Sequence, residues 1–143
     1  MKINRRGFLA ASLAACAAPL FAQQAPALLP ASKGRRVVVV GGGWGGLAAA
    51  RHLRALAPEL EVVLLERNAA FFSLPLSNMW LAGRVDAKLL THDYSDAAQA
   101  FGYAFLQAEV TAIDRDRRRV HTAQGTLDYD WLVLAAGIRH DWA

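Results

Sequence analysis

The stretch VVVVGGGWGGLAAAR, residues 37–51, constrains the fold of this chain more than any other. Four consecutive valines describe a strand covered on both faces, since a strand with one wet face alternates apolar and polar residues. Such a strand belongs in the middle of a parallel sheet flanked on both sides. Leu47, Ala50, Leu53 and Ala57 then recur at three- and four-residue spacing while Arg51 and Arg54 point elsewhere. A helix from Trp44 that stops near Pro58 satisfies that spacing. A second apolar run, EVVLLE at residues 61–66, gives strand, glycine turn, helix and strand in succession. That is a βαβ unit, whose crossover is right-handed in nearly all proteins.

Gly41, Gly43 and Gly46 fit the pattern GxGxxG, with Trp44 and Gly45 at its two free positions. Each glycine has a steric reason: a tight turn out of the strand, a close approach of backbone to a pyrophosphate, and close packing of helix on strand. A pyrophosphate placed there meets the free N–H groups and partial positive charge of a helix N-terminus, without a basic side chain. Glu66 ends the second strand 20 residues after Gly46. At that spacing a carboxylate reaches the ribose hydroxyls of a dinucleotide. It also disfavours a 2′-phosphate, so FAD or NAD is expected rather than NADP.

The first 22 residues, MKINRRGFLAASLAACAAPLFA, read differently. Lys2, Arg5 and Arg6 precede an apolar stretch with no acid, the pattern of a secretory signal whose apolar part is short for a membrane span. Arg5-Arg6 followed by Phe8-Leu9 resembles the twin-arginine signal that exports folded proteins, so the periplasm is the expected compartment. Leu13-Ala14-Ala15-Cys16 also resembles a lipobox. Lipidation at Cys16, with membrane anchoring, and plain cleavage after Ala22 or Ala27 therefore both stay open. Without Lys2, Arg5 and Arg6 the 16 basic residues fall to 13 against 12 acidic ones, a net charge of +1. The overall basic balance is thus no argument for nucleic acid. Cys16 is the only cysteine, which leaves residues 23–143 with no disulfide, CxxC pair or thiolate metal site.

Residues 23–34, QQAPALLPASKG, read as a linker, and the domain as 35–143. Beyond Glu66, AAFFSLPLSNMWLAG reads as a loop turning into a short helix, with Phe71, Phe72 and Trp80 expected to cover the core. Asp93 and Asp96 precede an Ala-rich run that reads as a second short helix ending near Gly102, where they cap rather than catalyse. Residues 101–113 and 119–122 are short strand candidates with a turn between, Gly125 marks another turn, and Leu132–Ala135 is a last buried strand. The expected fold is α/β: a Rossmann-like parallel sheet with a small antiparallel insertion before the last strand.

Leu132–Gly137, LVLAAG, resembles the second fingerprint of two-dinucleotide flavoproteins, with Ala136 in place of the usual Thr. The span from Arg35 to Trp142 resembles the N-terminal FAD-binding segment of the flavoprotein subunit of flavocytochrome c sulfide dehydrogenase. It is similar, less closely, to sulfide:quinone and type II NADH:quinone oxidoreductases. VVVVGGGWGGLAAARHLR, LLER, FFSLPLSN and YDWLVLAAGIRHDW carry the resemblance. It implies a part of a longer enzyme that takes electrons from a small sulfur compound onto FAD and passes them to a c-type cytochrome subunit. It also implies cofactor contacts at Gly41, Gly43, Trp44, Gly45, Gly46, Glu66, Arg67, Ser77, Asn78, Val110, Ala136 and Gly137. In the sulfide dehydrogenases a Cys within the stretch matching Phe71–Asn78 bonds the flavin covalently. Leu74 stands there, so non-covalent FAD is expected. The redox cysteines of the family lie beyond the matching segment. His52, His92, His121 and His140 have no metal spacing, and no constellation for nucleophilic or acid–base catalysis is visible. A degenerate dinucleotide-binding module and a quinone-reducing relative are the alternatives to the enzyme.

Overall fold

The computed structural model describes residues 25–138. The export signal, His140 and Trp142 lie outside them. Four strands, β1 (Arg36–Val40), β2 (Glu61–Glu66), β5 (Ala104–Gln107) and β9 (Trp131–Leu134), form one parallel sheet in the order β5-β2-β1-β9. Helix α1 (Trp44–Leu56) joins β1 to β2. The expected parallel sheet with an antiparallel insertion is present: β6 (Val110–Asp114), β7 (Arg119–Thr122) and β8 (Thr126–Asp128) form a three-stranded antiparallel sheet before β9.

The valine run sits where its composition requires. Val37 and Val39 of β1, with Val62 and Leu64 of β2, face α1 and α3 (Tyr94–Phe101) in one core that also buries Ala50, Ala98 and Tyr103. Val38, Val63 and Leu65 point the opposite way, onto Val120 and Leu127 of the antiparallel sheet. Three layers result, and β1 is in register with β2 (Val38 beside Val63) and with β9 (Val38 beside Leu132). From Val37 to Val39 both faces of β1 are dry, so an unpaired polar residue placed there costs stability. Among the described residues no helix is long and apolar enough to cross a membrane.

Several details differ from the sequence expectations. Residues 101–113 are not one strand. Phe101 ends α3, Gly102 reverses the chain at φ 72°, and β5 and β6 are separated where the buried Ala108 donates its N–H to Glu66 O. A two-stranded antiparallel ladder, β3 (Ala70–Phe72) with β4 (Thr91–Asp93), is an addition to the expected elements, and at three residues on each side it leaves no periodic signal in the sequence. Between them lie the short helix α2 (Ser77–Leu81) and a 3-10 turn at Ala87–Leu90. Of the three aromatics expected to cover the core, Phe71 packs against it, while Phe72 and Trp80 pair edge to face at 5.6 Å and remain exposed. They are carried by a three-residue strand and one helical turn, too short to bury both faces.

The segment read as a linker is docked. Thr126 donates to Pro26 O and Leu28 to Thr126 O, both at 2.8 Å, in a parallel bridge along β8. Leu28 and Leu29 join the core beneath it. The nearly buried Arg36 guanidinium donates to Pro30 O at 2.7 Å and to both carboxylate oxygens of Glu61 at 3.0 Å, tying this segment to the start of the sheet.

Candidate functional site

The parallel sheet opens a crevice beyond the C-terminal ends of its strands, where β1 passes to β2 on one side and has β9 on the other. Ligands of open α/β sheets bind at such a switch point. The crevice measures about 450 Å³, within the roughly 300–1,000 Å³ of small-molecule sites. Val40 at the end of β1 and Gly41 just after it line the crevice, with Leu65 to Asn68 at and beyond the end of β2, Ala108 and Glu109 of the β5–β6 link, Val110 at the start of β6, and Ala136 to Ile138 beyond β9.

The glycine turn is fixed by contacts specific to each position. Gly41 adopts φ 101°, and a Cβ there would collide with the Ala135 carbonyl. Gly46 is buried, and its Cβ would run into Gly41 O, so the helix lies directly on the turn. Gly43, the N-cap of α1, is the opposite case: its Cβ would meet nothing within 4 Å. No side chain caps this helix start and no acid occupies its first turn. The free N–H groups and the positive end of the helix dipole are therefore open to an anion, with no competing carboxylate in that turn.

Glu66 reaches across to the turn. Its Oε2 accepts the Gly42 N–H at 2.7 Å, and its Oε1 accepts the backbone and side-chain N–H groups of Asn68 at 2.9 and 2.6 Å. Three donors hold the carboxylate in one orientation at the crevice wall. Oε1 already accepts two donors, whereas Oε2 accepts one and retains lone-pair capacity for a hydroxyl donor from a ligand. At the mouth, exposed Arg67 and Glu109 approach to 3.8 Å, a pairing worth little in solvent.

Of the sequence-expected positions, the crevice brings together Gly41, Glu66, Arg67, Val110, Ala136 and Gly137. Gly43, Trp44, Gly45 and Gly46 belong to the adjoining turn and helix start. Ser77 and Asn78 lie on α2, outside the crevice walls. Leu74 is exposed in the loop before α2. His52, His92 and His121 sit on α1, β4 and β7, and among the described residues no group of His, Cys, Asp and Glu is placed to hold a metal.

Sequence reasoning missed Asn68, the Ala108–Glu109 wall and Tyr94. Glu66-x-Asn68 is a short-range pattern that reading for an Asx-type contact could have caught. Tyr94, at the start of α3, donates its hydroxyl to Gly42 O at 2.9 Å across 52 residues of sequence. Its ring stacks on Phe105 at 5.0 Å and lies near Phe71, which in turn meets Trp44 edge to face at 5.1 Å. Burial, then the charge of Glu66 and the neighbouring Tyr103, pushes the Tyr94 hydroxyl up to about 12.

The residues fit a dinucleotide in the part that holds its adenosine and pyrophosphate. A helix N-terminus is uncapped, the N-cap glycine opens onto free space, and a fixed carboxylate stands on the next strand. The type II NADH:quinone oxidoreductase of Staphylococcus aureus is 31% identical over 105 residues, 72% of this chain and 26% of that protein. The solved sulfide:quinone oxidoreductase of Aquifex aeolicus superposes with a TM-score of 0.71 at 30% identity, over 76% of this chain and 25% of that one. The solved putidaredoxin reductase–putidaredoxin complex gives 0.64 at 40% identity, over 72% and 26%. The chain thus spans about a quarter of the length of the relatives it matches. Residues 35–141 match the pyridine nucleotide-disulphide oxidoreductase family, and the chain belongs to it.

Proposed function

We propose that this chain is the FAD-binding part of an exported oxidoreductase that carries electrons from a reduced sulfur compound to a c-type cytochrome. The observation that carries the FAD reading is the pairing of an open, uncapped Gly43 helix start with the fixed Glu66 carboxylate. Gly43 and the first turn of α1 take the pyrophosphate, Glu66 the ribose hydroxyls, and Ala136 and Gly137 lie along the cofactor from the end of β9. Ser77 and Asn78 on α2 are left for its flavin half. Bound FAD supplies the two-electron chemistry that the side chains do not. Leu74 offers no thiol, so the cofactor is held without a covalent bond.

The sulfur donor rests on the resemblance to the sulfide dehydrogenase flavoprotein and on likeness to the Aquifex aeolicus enzyme. The twin-arginine-like leader supports a periplasmic site of action. Because Cys16 is the only cysteine, residues 23–143 bind and orient the cofactor and contribute no sulfur-attacking thiol. The 31% identity to a type II NADH:quinone oxidoreductase favours quinone as a second candidate acceptor.

The test is purification of the exported chain and titration with FAD. A yellow protein whose flavin is released intact by acid or heat is expected, and Glu66→Ala should bind FAD about tenfold more weakly, the loss of one or two hydrogen bonds to a charged group. A colourless chain that takes up no FAD defeats the reading, as does unchanged affinity in Glu66→Ala for the ribose assignment.

A further inference from the structure

We propose that Tyr94 is a positioning residue for the dinucleotide, aiming the Gly43 N–H at the pyrophosphate through its hydrogen bond to the Gly42 carbonyl. The inference rests on the FAD reading above and adds a residue on a distant helix to it.

Peptide geometry sets the direction of the Gly43 N–H. In a trans peptide the C=O and the following N–H point in opposite directions, and the described residues contain no cis bond. The Gly42 carbonyl turns toward the buried Tyr94 hydroxyl at 2.9 Å. The N–H of Gly43, on the same peptide plane, is thereby turned away from Tyr94, at a residue whose Cβ position faces open space. The preceding peptide is set in the same manner. Gly42 N–H goes to Glu66 at 2.7 Å, and the Gly41 carbonyl points back at Gly46. Two consecutive peptides in a stretch of glycines, otherwise the most mobile backbone available, are thus each pinned at one end by a side chain from another element.

Tyr94 is itself held firmly. It follows the Asp93 cap of α3, whose carboxylate accepts Ser95 N–H at 2.7 Å, and its ring is clamped on Phe105. Space is reserved for it: a Cβ on Gly42 would sit 2.6 Å from the ring. That gives Gly42, which the GxGxxG pattern leaves unspecified, a reason to be glycine. With its ionisation moved up to about 12, the hydroxyl stays a donor at any working pH.

The test compares ADP with adenosine as probes, alongside FAD, in calorimetric titrations of the full chain and of Tyr94→Phe. Removing one neutral hydrogen bond is expected to lower FAD and ADP affinity about 3- to 10-fold, with adenosine affinity unchanged because adenosine lacks the pyrophosphate. A merely structural role weakens all three alike, which overturns the proposal, as does no loss at all. If Tyr94→Phe does not fold, Gly42→Ala, which displaces the ring, is read by the same split between ADP and adenosine. A wild-type chain that binds neither FAD nor ADP defeats the functional reading. A wild-type chain that binds both, with Tyr94→Phe equal to it, defeats only this one.

Discussion

At the scale of single residues, the glycines of the turn separate structural need from ligand need. Gly41→Ala forces a methyl into the Ala135 carbonyl at φ 101° and should lower stability by about 1–3 kcal/mol in urea unfolding. Gly43→Ala should leave stability within about 0.5 kcal/mol, because its φ of −69° suits alanine and its Cβ meets nothing. The same substitution should weaken FAD binding by intruding on the space the pyrophosphate needs. Equal destabilisation by both would contradict the division. The tight turn at Gly41, the close packing at Gly46 and the place of Glu66 at the strand end were legible because their spacing is local to one βαβ unit. Tyr94 was not legible, since nothing in HDYSDAAQA signals a hydroxyl that reaches back to Gly42. The Ala108–Glu109 wall was hidden for the same reason: it reaches the site only by the pairing of β5 with β2.

At the scale of elements, dryness on both faces is what the sequence displayed most openly, in VVVV and EVVLLE. Leu64→Ala, in the core between β2 and the helices, should cost about 2–5 kcal/mol, whereas Leu81→Ala, largely exposed on α2, should cost under about 0.5 kcal/mol. The segment before β1 was illegible as structure because two residues bridging β8 generate no periodicity. Its docking gives the choice of cleavage sites a measurable consequence. A chain beginning at residue 23 keeps the Pro26 carbonyl that accepts Thr126 N–H. One beginning at residue 28 loses it and should unfold at lower urea, by about 1–3 kcal/mol. Equal stability of the two would show that the docked segment contributes nothing. The antiparallel insertion was legible from its closely spaced turns. The β3–β4 ladder, three residues on a side, fell below any periodic signal.

At the scale of the whole molecule, the two ends of the sheet have different tasks. At the end opposite the crevice, Arg36 and Glu61 lock the docked segment to the sheet. Burial raises the Glu61 carboxyl, but hydrogen bonds from Arg36 and Ser32 and the charge of Arg36 outweigh it and leave the group below its ordinary 4.5. A depressed folded value means that the stabilisation is present above pH 4.5 and is lost as pH falls through the lower folded value. The stability gap between wild type and Glu61→Gln should therefore narrow below about pH 4; a gap that widens in acid would contradict the pairing. At the crevice end, a glycine turn held by Glu66 and Tyr94 leaves an uncapped helix start beside an open wall. The function proposed for this end is to grip the adenosine and pyrophosphate half of FAD. Displacement of bound FAD, followed by the return of free-flavin fluorescence, tests it most directly. ADP should displace FAD while FMN does not, and displacement by FMN with ADP inert would contradict the account.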